Sequence, residues 1–118
     1  MVYTNEQAVE DGVKVNVTEW AREVGFTLPV YVTRGVWEKC IEWQAEDSRR
    51  QVPQDIRGRA HDVLYLGSLA ARKLNGDWFA EYQVLCVPRG GTTRRTNLFR
   101  LWLTVDGNSI TILFPDEY

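Results

Sequence analysis

The sequence predicts an α+β fold, and three features predict it. In residues 12–37 two valine-alternating segments are each followed at once by a threonine and a tryptophan-bearing helical pattern. Residues 54–75 keep apolar or small side chains at alternating spacings of four and three, the stripe of a long helix lying on a core. The last third alternates in three runs, the mark of half-buried strands. The expected architecture is an antiparallel sheet of three C-terminal strands plus short N-terminal strands, with one long helix and shorter helices packed on it.

Taken in order, Thr4 and Gln7 have capping-box spacing, so a first helix is expected from Asn5 to Asp11, stopping at Gly12. Val13, Val15 and Val17 alternate with Lys14 and Asn16 as a strand. Thr18 is placed to cap a second helix that Gly25 closes, and residues 29–33 read as another strand. Thr33 is placed to cap a third helix running to Gln44, with Val36, Cys40 and Trp43 on its core stripe and Trp37 and Ile41 beside them. Residues 45–53 carry no periodicity and are expected to be an exposed connection.

The long helix follows, over 54–75. Ala60, Gly67 and Ala70 are small enough to let it approach a sheet closely, and Gly67, which costs up to about 1 kcal/mol of helix propensity against alanine, implies a packing reason. Its opposite side collects His61, Tyr65, Ser68, Leu69 and Arg72, more apolar than a freely solvated face requires. Then Trp78, Ala80, Tyr82, Val84 and Cys86 form one face of a strand. Phe99, Leu101, Leu103 and Val105 form a face of the next, and residues 110–114 close the set across a hairpin signalled by Asp106-Gly107-Asn108.

With 118 residues, 44% of them hydrophobic and five of them tryptophan, the chain can bury one core, and a single α+β domain is expected across residues 1–118. No window is long and apolar enough to span a membrane and no signal-peptide pattern opens the chain, so a cytoplasmic setting with no membrane contact is expected. Cys40 and Cys86, the only cysteines, lie on apolar faces and read as buried reduced thiols. The net charge of −2 is unevenly spread: residues 1–48 hold nine acids and four bases, 49–100 ten bases and four acids, and 101–118 three acids.

The blocks DGVKVNVTEWAREVGFTLPVYVTRGVWEKC (11–40), GRAHDVLYLGSLAAR (58–72) and LTVDGNSITILFPDEY (103–118) resemble a family of small uncharacterised bacterial proteins found on plasmids, phages and other mobile elements. Where that family has an aromatic-Asp pair in its long helix, this chain has His61-Asp62. The resemblance implies the same α+β fold and a mobile-element setting; it brings no catalytic residue.

The chemistry-bearing residues point the same way. His61, the only histidine, has Asp62 next in sequence and therefore about 100° around the helix, so the two form no dyad. One histidine and two separated cysteines supply no ordinary zinc set, and Gly90-Gly91 lacks the helix and lysine of a phosphate loop. No catalytic residue, metal or cofactor is expected. The expected function is a non-enzymatic protein-interaction or accessory factor, with anti-defence as one form, whose partner is an unidentified protein met through His61, Tyr65, Leu69 and Arg72 or through an exposed tryptophan. A homodimer through Tyr65 and Leu69 is a further possibility. The alternative is nucleic-acid binding by a β-hairpin carrying Arg89, Arg94, Arg95 and Arg100 beside Trp102.

Overall fold

Alternation in the valine segments and the C-terminal runs builds one sheet, and the helices fold over the face that alternation makes apolar. The structure, a computed structural model, describes residues 2–118, so Met1 of the expected domain lies outside it. Its elements are α1 (Asn5–Glu10), β1 (Lys14–Asn16), α2 (Thr18–Glu23), β2 (Val30–Thr33) and α3 (Arg34–Val36), which runs on as a π-helical turn (Trp37–Ile41). These are followed by α4 (Ala45–Arg50), α5 (Ile56–Ala71), β3 (Phe79–Cys86), β4 (Asn97–Asp106), β5 (Ser109–Leu113) and a 3₁₀ turn (Pro115–Glu117).

The sheet has five strands in the order β1-β2-β5-β4-β3. It is mixed: β1–β2, β5–β4 and β4–β3 are antiparallel, while β2 and β5 run parallel with Val32 opposite Ile112. The three C-terminal strands are antiparallel as expected, while the parallel pair that joins the N-terminal strands to them makes the whole sheet mixed rather than antiparallel. A two-residue turn with Gly107 at φ 60° makes the expected hairpin between β4 and β5.

The long helix α5 packs on β3, α2 and the π-helical turn, and Val63, Leu64, Leu101, Leu103 and Ile112 are fully buried between the layers. Gly67 sits where α5 comes nearest the sheet: a Cβ there would lie 3.0 Å from the Tyr82 hydroxyl. The small-residue stripe thus has the packing reason its sequence implied.

Five local expectations are corrected. Residues 45–53 contain α4 and are partly buried, because the Asp47 carboxylate accepts from the Gln44 backbone N–H at 2.9 Å and the Trp43 indole donates to Ser48 at 2.9 Å. The third helix ends at Ile41, three residues early, where Arg59 takes its last carbonyls. Thr33 caps it as expected, but Thr18 does not cap α2; its hydroxyl instead accepts from Val30 N–H at 3.0 Å and donates to Asn16 at 2.6 Å. The long helix is shorter than its pattern, from Ile56 with Asp55 as cap to Ala71. Trp78 precedes β3 rather than joining the Tyr82 face, and packs with Phe79 and Tyr118.

Candidate functional site

The two edges of the sheet differ in kind. β1 is three residues long, and its Lys14 side chain donates to Asn5 of α1 and to Thr111, so that edge is short, charged and partly shielded. β3 is eight residues long and its sequence, FAEYQVLC, holds no Lys or Pro, the residues that most often blunt an edge. Val105 donates its backbone N–H to the Trp78 carbonyl at 2.7 Å, which sets Ala80, Tyr82, Val84 and Cys86 as the residues bonded to β4. The backbone N–H and C=O of Phe79, Glu81, Gln83 and Leu85 therefore point outward, along the free edge.

An apolar groove runs beside that edge. α5 and β3 are antiparallel neighbours: Tyr65 and Leu66 border the groove at the level of Gln83–Leu85, and Leu69 and Lys73 at the level of Ala80–Gln83. Tyr65 of α5 is 46% exposed, Leu85 of β3 58% and Leu98 of β4 59%, and the three meet at one end of the groove. Glu81, the one charge on β3, is engaged by the Trp102 indole at 2.9 Å and by Arg100 at 3.7 Å. The expected helix-face residues border this region in part. His61 stacks on Tyr65 with ring centroids 5.8 Å apart, Leu69 borders the groove against β3, and Arg72 borders a separate hollow against residues 24–28.

The arginine set is divided. Arg89 is held by Glu42 at 2.6 Å and by Asp47 at 3.0 Å, and Arg100 faces Glu81 across the strand pair. Arg94 and Arg95 lie exposed in the connection, and among the described residues neither makes an ion pair. Trp102 is tilted against Phe79 and Tyr118 and is only partly exposed. The structure thus does not gather the five residues into one open patch.

Of the five tryptophans, Trp78 alone is exposed; Trp43 is buried, and Trp20 stacks on Trp37 with centroids 6.3 Å apart. Cys40 and Cys86 are free and buried, and their thiols neighbour one another. The Cys86 contact and burial push the Cys40 thiol far above its ordinary value, while the Cys40 contact lowers that of Cys86. Neither borders the hollow that includes His61.

Sequence reasoning missed Arg59, the most connected polar side chain. It is buried, donates to the carbonyls of Ile41 (3.1 Å), Val87 (2.9 Å) and Lys39 (3.3 Å) and to the Gln54 side chain (2.9 Å), and stacks over Trp43. Burial pushes its guanidinium below the ordinary arginine value, and carbonyl dipoles hold the charge. Gln51 adds bonds to the carbonyls of Pro88 and Thr93, both 2.8 Å, so these residues tie the π-helical turn, α4 and the β3–β4 connection together. No sequence spacing links these partners.

Against protein-family models, curated proteins and solved structures, the chain gives no match. Among the described residues no group of three His, Cys, Asp or Glu could hold a metal ion, and no helix is long and apolar enough to cross a membrane.

Proposed function

We propose that this protein is a non-enzymatic interaction module that docks an extended segment of a protein partner along the free edge of β3, as an accessory factor of a bacterial mobile element. One observation carries the reading: β3 is a full-length, unguarded edge with four outward-facing residues and an apolar groove beside it. Adding a strand there would satisfy the outward N–H and C=O groups, and the groove would take alternate side chains of the incoming segment. The mobile-element setting, with anti-defence as one form of the accessory role, rests on the family resemblance of residues 11–40.

Affinity capture from the native host with the wild-type chain and with Gln83→Pro tests it. Proline at 83 removes an outward donor without taking a bond from the β4 ladder, a place where an edge strand accepts it. A stoichiometric protein partner lost on the substitution, whether another protein or an untagged copy of this chain, is the expected result; no partner of either kind, or one equally retained, would refute the reading. Nucleic-acid binding is the second reading, and the exposed Arg94 and Arg95 are what favour it.

A further inference from the structure

Resting on that docking reading, we infer that the partner at the β3 edge is a second copy of this chain, the two β3 strands pairing antiparallel about a two-fold axis beside Tyr82 into one ten-stranded sheet. The outward residues are Phe79, Glu81, Gln83 and Leu85, and three symmetric registers overlap them well. An axis at Glu81 sets that carboxylate against its own copy, and an axis at Gln83 sets Glu81 against Leu85 and pushes Phe79 past the strand. An axis at Tyr82 sets Phe79 opposite Leu85 and Glu81 opposite Gln83, joining apolar to apolar and acid to amide over the whole strand.

The helix beside the edge is self-complementary about the same point. Asp62, Leu66, Leu69 and Lys73 follow one another at spacings of four, three and four, a single stripe on the flank of α5 and its last turn that borders the groove. Its centre falls between Gly67 and Ser68. Leu66 borders the groove at the level of Gln83. With a rise of about 1.5 Å per helical residue and about 3.3 Å per strand residue, the stripe's centre then lies level with Tyr82. A two-fold axis there sets Asp62 against Lys73 of the second copy and Leu66 against Leu69, and repeats both pairs on its other side. Among the described residues Asp62 has no basic neighbour within ion-pair reach other than His61, and Lys73 makes no ion pair. The strand register and the helix charges thus select one axis independently, which an arbitrary peptide ligand would not require.

Sedimentation equilibrium on the wild type, Gln83→Pro, Asp62→Lys and the exchange Asp62→Lys with Lys73→Asp tests the pairing. Asp62→Lys turns two attractions into two repulsions, and a loss of about tenfold in dimer affinity is expected, recovered in the exchange variant. Gln83→Pro should weaken the dimer by at least as much. Positions 62 and 73 are exposed, so the exchange pair keeps the test valid even where the proline variant fails to fold. A wild type that remains monomeric at millimolar concentration, or a dimer indifferent to both changes, would overturn the inference. A monomer that still captures a host protein lost in Gln83→Pro would overturn the self-pairing alone, and a monomer with no edge-dependent partner would overturn the docking reading as well.

Discussion

Gly67 and Tyr82 are fitted to one another: the tyrosine hydroxyl crosses the helix at the glycine to donate to the Val63 carbonyl at 3.0 Å, and its oxygen would lie 3.0 Å from any Cβ at 67. The ring carbon bearing that hydroxyl would be 3.2 Å away, so the conflict is with a buried, hydrogen-bonded ring that has little room to retreat.

Gly67→Ala sets two effects against each other. Helix propensity favours alanine by about 1 kcal/mol, while forcing a close-packed layer apart costs about 1–3 kcal/mol. Net destabilisation is expected in urea unfolding, smaller in a Tyr82→Phe background where the hydroxyl is gone. Gly67→Ala that stabilises the chain would show that α5 does not press on the sheet there.

Arg59→Met tests the buried guanidinium. The methionine fills much of the volume, but the carbonyls of Ile41 and Val87 lose their donor, at about 1–3 kcal/mol for each group left unsatisfied. A loss of about 3 kcal/mol in unfolding free energy is expected. Unchanged stability would mean that the arginine holds nothing together.

Much of this was legible in the sequence, and the unread part has a common cause. The α1 capping box, the Gly107 hairpin and the small-residue stripe of α5 are local patterns, each decided within a few residues. α4 has no periodicity to read, and beyond its local cap of Asp47 on Gln44 its support is distant: Asp47 meets Arg89, and Gln51 reaches carbonyls beyond Cys86. The same contacts removed Arg89 from the arginine cluster. The status of β3 as an edge was unreadable for a related reason, since it depends on β5 pairing with β2 on one side and β4 on the other.

Stability should fall at alkaline pH. Burial raises Tyr82 well above its ordinary value, and the Cys86 contact together with burial raises Cys40; the lowering of Cys86 by Cys40 acts in the opposite sense, one group against two. The unfolded chain therefore releases these protons, from about pH 9 upward, while the folded chain still holds them, and fewer protons bound in the unfolded state means that stability decreases as pH rises. The contribution is fully present below pH 8. Urea midpoints flat from pH 8 to 11 would contradict this, as would rapid alkylation of Cys40 in the native protein.

For nucleic acid, the expected outcome is no association with single- or double-stranded DNA or RNA at low salt that depends on Arg94 and Arg95. Were binding found, its constant should fall steeply with salt, and replacing both arginines by alanine would flatten the logarithmic slope by about two if each neutralises a phosphate. That result would move the functional site from the β3 edge to the β3–β4 connection.

The most direct measurement is residue-resolved amide hydrogen exchange along β3 as a function of protein concentration. The amides of Ala80, Tyr82 and Val84, bonded into β4, should be protected throughout. Those of Glu81 and Gln83 should exchange fast in dilute solution and become protected as concentration rises, with the same midpoint as the sedimentation dimer. Glu81 and Gln83 amides that exchange equally fast in dilute and concentrated protein would contradict pairing at this edge.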